Sequence, residues 1–393
     1  MNESPLVSII TPSYNQAEFL EQTIRSVLAQ DYANIEYIVV DGGSTDGSVE
    51  VIKRYDARIA KWVSEPDEGQ SDAINKGFRI ATGEIVAWLN SDDVYFPDAV
   101  STAVRRFQQR PSLGLLYGDC VFVDRDGQFL RYFTEVEPYS EFRLRNCTDF
   151  IMQPTTFFKR ETLLDVGLLD ASLHYSMDWD LWCRFAESGC GVHYEPKPLA
   201  ATRIYPETKT MAGSRPRLRE IWRVLKRHRT GLWPHAYFGF FATEVRRMLE
   251  QRETFSLATL PLAPLLFLLR VANARNILYD RRRRNHLYGI RRRSNLLLRN
   301  ATIHIPVYRA VSELRLSLRN RYGGSEEAPQ KTRVRITGQE QPPVMLEGRD
   351  TRHSFAFPIA EAVSRSNAIR IELEFERVDR SGIAAALDEV RLI

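Results

Sequence analysis

The 393-residue sequence predicts an α/β domain, a basic helical region and a small β-domain, in that order. Strand-like and helix-like runs alternate through residue 90, as in parallel sheets that are covered by helices on both faces. An arginine-rich, aromatic stretch follows at 215–321, and short alternating apolar and polar runs then lead to the C-terminus. We therefore predict domains at residues 1–213, 214–325 and 330–393.

The composition restricts the class of protein. Apolar residues make up 44% of the chain and charged residues 26%, so it can bury a core and is not disordered as a whole. The net charge is only +4, but arginine concentrates in 215–321, which predicts an anion-facing surface there. None of the four cysteines forms a C-x-x-C pair, and the N-terminus has no pattern of a secretory signal. We expect reduced thiols in a cytoplasmic protein.

Apolar periodicity predicts the elements of the α/β domain. Runs such as VSIITP and IEYIVV are short, β-branched and apolar, which is typical of buried strands. Asn15 is expected to cap the first helix. A D-R-D-G turn predicts a hairpin of residues 114–124 and 128–134. The other predicted strands are 7–12, 35–40, 60–64, 84–90, 149–159, 192–195 and 199–205, with helices after Asn15, after Asp46 or Ser48, at 69–81 and from Asp178 to about Gly189.

The last two regions have weaker patterns. The most apolar window, 255–272, contains two prolines and an arginine and is shorter than the roughly 20 apolar residues of a membrane-crossing helix. Flanking arginine clusters favour a segment that lies in the membrane interface, although a soluble extension or a dimer surface fits equally well. Alternating runs at 331–337, 353–357, 368–376 and 386–393 predict a β-sandwich.

Acidic residues follow two of the predicted parallel strands. Asp41 comes directly after the second strand, and Asp92 and Asp93 come directly after the fourth. Ligands of open α/β sheets bind beyond the carboxyl ends of the strands, so these side chains are expected to face one crevice. Clustered carboxylates there predict a site for a hard cation such as Mn²⁺ or Mg²⁺.

Several strings together resemble one family. They are VSIITPSYNQAEFLEQTIRSVLAQDY, IEYIVVDGGSTDGS, EPDEGQSDAINKGFRIATGEIVAWLNSDD and MDWDLWCRF, which occur in order within residues 6–210. The chain thereby resembles the nucleotide-diphospho-sugar transferases of glycosyltransferase family 2, which have the Rossmann-like GT-A fold. The resemblance implies an inverting transfer of a sugar from a nucleotide-sugar donor to an acceptor hydroxyl.

The resemblance also implies roles for individual residues. Asp41 would hydrogen-bond the base, which favours a UDP-sugar, while Asp92 would approach the ribose and Asp93 would bind the metal. The rest of the donor pocket would be formed by Thr11, Pro12, Tyr14, Glu65, Asp67, Gly69 and Asp72. Structural alternatives remain open: Asp41 as a turn residue and Asp92 as a helix cap.

The general base is expected at Asp178, in the string MDWDLWCRF. Met177 stands where the family usually has glutamate. Asp178 as a mere helix cap is the structural alternative, and Asp180 is the fallback base. Tyr205 stands where a histidine is common, so Arg203 or Lys209 is the alternative contact for the diphosphate.

These features predict an enzyme of cell-envelope polysaccharide or glycolipid biosynthesis. Its acceptor would be a glycan or a lipid-linked sugar at the cytoplasmic face of the membrane, with peripheral contact through 215–321. A sugar nucleotidyltransferase is disfavoured because TPSYNQAEF has no glycine-rich, basic phosphate loop. A non-catalytic glycan- or nucleotide-binding module is the other alternative. No nucleic acid is expected, because the arginine clusters form no recognised nucleic-acid motif.

Overall fold

The fold is described from a computed structural model of the chain. The structure describes residues 4–209, 215–230, 237, 240, 286–288, 290–291, 296–307, 311–320, 330–346, 351–359, 368–376 and 383–393. The predicted interfacial window at 255–272 lies outside these residues. Within them, no helix is long and apolar enough to cross a membrane.

The described helices lie in the first 228 residues. They are α1 (Ala17–Leu28), α2 (Ser48–Arg54), α3 (Gln70–Ile80), α4 (Ala99–Gln109), α5 (Glu141–Asn146), α6 (Arg160–Val166), α7 (Met177–Glu187) and α8 (Arg215–His228), with short 3-10 helices at Asp56–Arg58 and Gln153–Thr155.

The strands of the α/β domain form one sheet. They are β1 (Val7–Ser13), β2 (Ile35–Asp41), β3 (Lys61–Ser64), β4 (Ile85–Trp88), β5 (Val94–Tyr95), β6 (Leu113–Val123), β7 (Phe129–Tyr132), β8 (Phe157–Lys159) and β9 (Gly191–Arg203). Their order is β3-β2-β1-β4-β8-β6-β9-β5, with β7 paired to β6. The strands β1 to β4 are parallel, so their carboxyl ends meet at one edge of the sheet.

The local sequence explains these parallel strands. Every residue of β1 is buried, as its continuous apolar and β-branched run predicts. The following helix α1 buries Leu20, Ile24 and Val27 on one face against the sheet. The prediction that Asn15 caps α1 is wrong, because Asn15 has a φ of +51° and Gln16 directly precedes the helix. Asp46 instead accepts a hydrogen bond from the first helical N–H, at Ala17.

The second half of the domain differs in part from its prediction. The hairpin of β6 and β7 is confirmed, but the predicted strand at 149–159 shortens to β8 after a 3-10 helix. The two strands predicted at 192–205 are one strand, β9, because β6 pairs with it along its whole length. Helices α4, α5 and α6 were not predicted.

The C-terminal strands form two antiparallel sheets. They are β10 (His286–Leu287), β11 (Ile290–Arg291), β12 (Leu296–Leu298), β13 (Asn300–Pro306), β14 (Glu313–Asn320), β15 (Gln330–Ile336), β16 (Gln339–Leu346), β17 (Arg352–Pro358), β18 (Ala368–Phe375) and β19 (Ile383–Leu392). One sheet has the order β10-β11-β12-β19-β14-β17, and the other has the order β13-β18-β15-β16.

This C-terminal β-unit begins earlier than the sequence predicts. Strands β10 to β14 fall within the residues 214–325 that were assigned to a helical region, so that boundary is wrong. The reason is long-range pairing: β13 pairs with β18 and β14 pairs with β19, strands that lie about 70 residues further along the chain. Such pairing leaves no signal in a local sequence window. Of the helical region, the structure describes α8.

The β-unit packs on the last strands of the α/β domain. Val121, Phe129 and Tyr132 share one apolar core with residues of both C-terminal sheets, such as Ile303 and Leu316. The hydroxyl of Tyr132 lies 3.1 Å from the carbonyl oxygen of Thr302 and 2.7 Å from Nδ1 of His304. The two units are therefore joined by a continuous core with buried polar contacts.

Candidate functional site

A cavity of about 800 Å³ opens beyond the carboxyl ends of β1, β2 and β4. This is the edge at which open α/β sheets bind their ligands. The segment that follows β9 closes the opposite side. The lining residues are Pro12, Ser13, Tyr14, Gln16, Gly42, Gly43, Pro66, Asp67, Gly69, Gln70, Ala73, Asn90, Ser91, Asp92, Asp93, Thr202, Arg203, Tyr205, Glu207, Thr208 and Lys209.

Six of the residues that the sequence analysis selected line this cavity: Pro12, Tyr14, Asp67, Gly69, Asp92 and Asp93. Local geometry explains why two of the lining residues, Gly42 and Gly69, are glycines. A Cβ on Gly42 would lie 2.4 Å from Oδ2 of Asp67, so any larger residue would displace this carboxylate. Gly69 has a φ of +112°, and its N–H donates to Oδ1 of Asp67 at 2.8 Å.

Asp41 does not line the cavity. It is fully buried, and its carboxylate accepts hydrogen bonds from Gly43 N (3.1 Å), Ser44 N (2.9 Å), Ser44 Oγ (2.5 Å) and Ser64 Oγ (2.7 Å). These contacts shape the loop that carries two lining glycines, which fits the alternative of a turn residue. Thr11 is likewise fully buried, and its Oγ1 accepts from the hydroxyl of Tyr37.

Glu65 and Asp72 also lie outside the lining of the cavity. Both pair with Lys76, at 3.0 and 3.4 Å, on the outer side of α3. Asp72 additionally accepts a hydrogen bond from the backbone N–H of Glu68 at 3.2 Å. These two acids therefore brace the start of α3 rather than face the cavity.

The carboxylates of Asp92 and Asp93 form the acidic side of the cavity. Asp93 is 3% exposed and accepts from the N–H of Arg203 (3.2 Å) and from Nδ2 of Asn90 (3.3 Å). Asp92 accepts from the hydroxyl of Tyr205 at 2.9 Å. It does not cap a helix, because α4 begins after Asp98.

The electrostatics of this pair are unfavourable without a cation. Burial and the neighbouring charge of Asp92 raise the pKa of Asp93 well above its usual range. Burial likewise raises the pKa of Asp92. Two buried, like-charged carboxyl groups hold protons more tightly because neither can ionise without desolvation and repulsion. A bound cation would relieve both costs.

Arg203 is committed to the protein framework. Its guanidinium donates to the carbonyl oxygens of Asp92 (3.2 Å) and Arg125 (2.6 Å) and to Oε1 of Gln22 (3.0 Å). It is 2% exposed and stacks over the ring of Phe19, with 4.7 Å to the centroid. Burial lowers its pKa. The side chain therefore holds the turn after β6 against the cavity wall.

Lys209 lines the cavity and supplies a positively charged side chain there. Among the described residues, its Nζ makes one hydrogen bond, to Oε1 of Gln70 at 2.7 Å. Nε2 of Gln70 donates to Oδ1 of Asn90 at 2.7 Å, and Asn90 in turn donates to Asp93 and to Gln153. These side chains connect the ammonium to the acidic pair, and the sequence alone did not indicate Gln70 or Asn90.

Asp178 lies in the first turn of α7 and is not among the residues that line the cavity. Ser176 precedes the helix, so Asp178 is not its cap. Its Oδ1 accepts the N–H of Trp179 at 2.8 Å. Burial raises the pKa of Asp178 to about 6; the charge of Glu220 adds to this shift, while that backbone contact and the charge of Lys209 oppose it.

Asp180, the fallback base, is held in ion pairs. It is fully buried and contacts Arg184 at 3.0 Å, Arg227 at 2.7 Å and His228 at 2.9 Å. Burial opposes ionisation, but the hydrogen bond from His228 and the charge of Arg184 lower the pKa of Asp180. Its role is to hold α8 on α7, and it is unsuited to accept a proton.

The acidic pair fits a divalent cation that is shared with a bound diphosphate. The described residues contain no group of three or more histidine, cysteine or acidic side chains that could enclose a metal ion. Mg²⁺ is commonly held by one or two carboxylates together with phosphate oxygens, and the pair Asp92 and Asp93 supplies that number of ligands.

Two solved structures show limited similarity to this chain. Residues 1–349 of S. aureus TarS in complex with UDP superpose with a TM-score of 0.46 at 16% identity, over 72% of this chain and 93% of that one. The mannosyltransferase PcManGT of Pyrobaculum calidifontis with GDP-Man and Mn²⁺ gives 0.48 at 21% identity, over 71% and 88%. Both scores lie below 0.5, so nothing about the ligand of this chain follows from them.

Sequence relatives are more informative. An uncharacterized glycosyltransferase of Rickettsia typhi is 30% identical over 220 residues, which is 53% of this chain and 66% of that protein. The chain thus spans just under two thirds of that relative. An uncharacterized glycosyltransferase of Mycobacterium tuberculosis is 30% identical over 217 residues, 51% of this chain and 82% of that protein. The family profile described as "Glycosyl transferase family 2" matches residues 8–164, and the chain belongs to this family.

Proposed function

We propose that the chain is a metal-dependent, inverting glycosyltransferase that moves a hexosyl group from a nucleoside diphosphate sugar, a UDP-sugar foremost, to an acceptor hydroxyl. One observation carries the proposal. The carboxylates of Asp92 and Asp93 and the ammonium of Lys209 line the same cavity, at the ligand-binding edge of the sheet. Family membership supports the same reaction class.

The donor end of the site is assigned from charge. Mn²⁺ or Mg²⁺ held by Asp93, with Asp92 beside it, would offset the charge that builds on the leaving diphosphate. Lys209 would contact a phosphate oxygen, because Arg203 is occupied by backbone carbonyls. The exposed ring of Tyr14, at the mouth of the cavity, would face the nucleoside.

The acceptor end is assigned to Asp178. A general base works best when its pKa lies near the working pH, and burial has raised this carboxyl to about 6. Asp178 would take the proton of the acceptor hydroxyl as its oxygen attacks the anomeric carbon. The bond to the diphosphate breaks in the same displacement, which inverts the anomeric configuration.

The outer face of α8 is the basis on which we propose where the enzyme acts. Arg219, Trp222, Arg223 and Lys226 are exposed and recur at helical spacing, whereas Glu220, the helix's acidic residue, is buried. A cationic face with a partly exposed tryptophan suits anionic headgroups. We place the enzyme at the cytoplasmic face of a membrane, where it would act on a lipid-linked or polysaccharide acceptor in the synthesis of cell-surface glycans.

This placement is tested by flotation with vesicles. We expect the full chain to float with phosphatidylglycerol vesicles at low salt and less with phosphatidylcholine vesicles. Replacing Arg219, Arg223 and Lys226 together by glutamine should reduce flotation, since each basic side chain near an anionic surface contributes about 1 kcal/mol. Unchanged flotation of that variant would remove α8 from the proposal.

The donor assignment is tested by thermal shift. UDP, dTDP, GDP and CDP are each added with and without Mn²⁺ to the wild type and to Asp93→Asn. One nucleotide should raise the melting temperature only with Mn²⁺, and the variant should lose that shift. At a concentration one hundred times the dissociation constant, the gain in stability is about 2.7 kcal/mol. No shift with any nucleotide would contradict the proposal.

A further inference from the structure

An acidic side chain of α8 reaches the start of the helix that carries Asp178. The carboxylate of Glu220 accepts hydrogen bonds from three consecutive backbone N–H groups: His174 (3.0 Å), Tyr175 (2.7 Å) and Ser176 (3.1 Å). These three residues directly precede α7. Glu220 is 6% exposed, so this contact is shielded from water.

The contact is strong for physical reasons. The first N–H groups of a helix and of the turn before it have no partner within the helix, and a buried carboxylate satisfies them. Hydrogen bonds to a charged acceptor contribute about twice as much as neutral ones. The negative charge also complements the positive end of the α7 dipole. Glu220 therefore fixes the backbone from which Asp178 projects.

The same carboxylate acts on Asp178 through space. The charge of Glu220 raises the pKa of Asp178, and Lys209 lowers it. Burial lowers the pKa of Lys209. The charges of Glu220, Asp178 and Asp92 act in the opposite direction and raise it. A fourth group faces Asp178 from the loop after α5: burial and the charge of Asp178 raise the pKa of Asp149 well above its usual range.

Met177, the residue before Asp178, supplies no charge. Its sulfur is buried, and Oγ of Ser71 lies 2.7 Å from it. Glu220 holds the start of α7 and is also among the described groups whose charge acts on Asp178. A residue 42 positions further along the chain thus brings a second carboxylate to the proposed base.

We propose that Glu220 is a positioning residue for Asp178, which fixes the start of α7 and brings a second carboxylate to the base from outside the cavity. The inference rests on the proposed function, because it assigns the role of base to Asp178. It adds Glu220 of α8 to the acceptor end of the site. The basic face that is proposed to meet a membrane lies on the same helix.

The test is the titration of the Asp178 carboxyl carbon by NMR in protein labelled at the aspartate Cγ, with Asp178→Asn to assign the signal. Three variants are compared with the wild type. Glu220→Gln keeps the size and removes the charge, Glu220→Asp keeps the charge on a shorter side chain, and Glu161→Gln is the matched control on an exposed face of α6.

We expect the Glu220→Gln midpoint to shift to lower pH, with Glu220→Asp closer to the wild type and Glu161→Gln unchanged. Hydrogen exchange at the amides of residues 174–176 should be slow in the wild type and faster in both Glu220 variants. In turnover, kcat should fall in Glu220→Gln while the KM for the donor stays the same.

Two results would overturn the inference. One is a folded Glu220→Gln variant in which Asp178 titrates as in the wild type. The other is fast exchange at residues 174–176 in the wild type, a measurement that does not depend on any variant folding. The proposed function fails separately, if the wild type binds no nucleotide in the thermal-shift screen, because these readouts need no nucleotide.

Discussion

At the scale of single residues, the proposed mechanism makes Asp178 work in its ionised form. Its pKa is raised to about 6, chiefly by burial. We therefore predict that kcat rises with pH up to about 6 and is level above it, since the carboxylate accepts a proton only when it is deprotonated. Asp178→Asn should lower kcat by about 10²- to 10⁴-fold, the usual contribution of a general base. A variant with wild-type kcat would show that another group takes the proton.

Lys209 is the residue at which the diphosphate assignment can be separated from the metal assignment. Lys209→Met should weaken the binding of a nucleoside diphosphate more than that of the corresponding monophosphate, because a phosphate contact is removed and the nucleoside contacts remain. The two dissociation constants can be measured by calorimetry. Lys53→Met, on an exposed position of α2, is the matched control. An equal loss for both nucleotides would place Lys209 away from the phosphates.

At the scale of elements, the ion pairs of Asp180 hold α8 on α7. Because the pKa of Asp180 is lowered in the folded protein, its contribution to stability is present above the unfolded value of 3.8 and is lost as the pH falls below it. Asp180→Asn should reduce the free energy of unfolding by about 3 kcal/mol at pH 7, since it removes the buried carboxylate that Arg184, Arg227 and His228 share.

Urea unfolding of Asp180→Asn at pH 7 and at pH 3.5 checks this prediction, with the exposed Asp165→Asn as control. The difference from the wild type should shrink at the lower pH. A difference of the same size at both pH values would mean that the charge of Asp180 does not stabilise the junction of the two helices.

The elements also show what the sequence predicts and what it does not. Strands β1, β2 and β4 were predicted because each is a compact apolar run. The start of the β-unit was missed because its strands pair across about 70 residues. In the site, Asp92 and Asp93 were found from their place after a strand. The contact of Lys209 with Gln70 was not, because 139 residues separate the two.

At the scale of the whole molecule, the α/β domain and the β-unit should unfold together. They share an apolar core, and the Tyr132 hydroxyl that joins them is buried beside His304. Burial lowers the pKa of His304 to about 4, so its imidazole is neutral near pH 7 and Nδ1 can accept from Tyr132. Because of this shared interface, we expect one cooperative transition rather than two.

Tyr132→Phe tests this coupling. It leaves the buried partners of the hydroxyl unsatisfied, which should cost about 1–3 kcal/mol and lower the midpoint of a single transition. Tyr14→Phe, at a position that is 61% exposed, should leave the midpoint unchanged. Two separate transitions in calorimetry, with only one of them moved by Tyr132→Phe, would contradict the coupling.

The central claim is that the cavity at Asp92 and Asp93 binds a nucleoside diphosphate together with a divalent cation. Isothermal titration of UDP into the wild type and into Asp93→Asn, each with and without Mn²⁺, tests it most directly, with Asp165→Asn as control. We expect binding to the wild type and to the control that strengthens with Mn²⁺, and binding to Asp93→Asn that no longer responds to Mn²⁺. Binding of equal strength and equal Mn²⁺ dependence in all three proteins would contradict it.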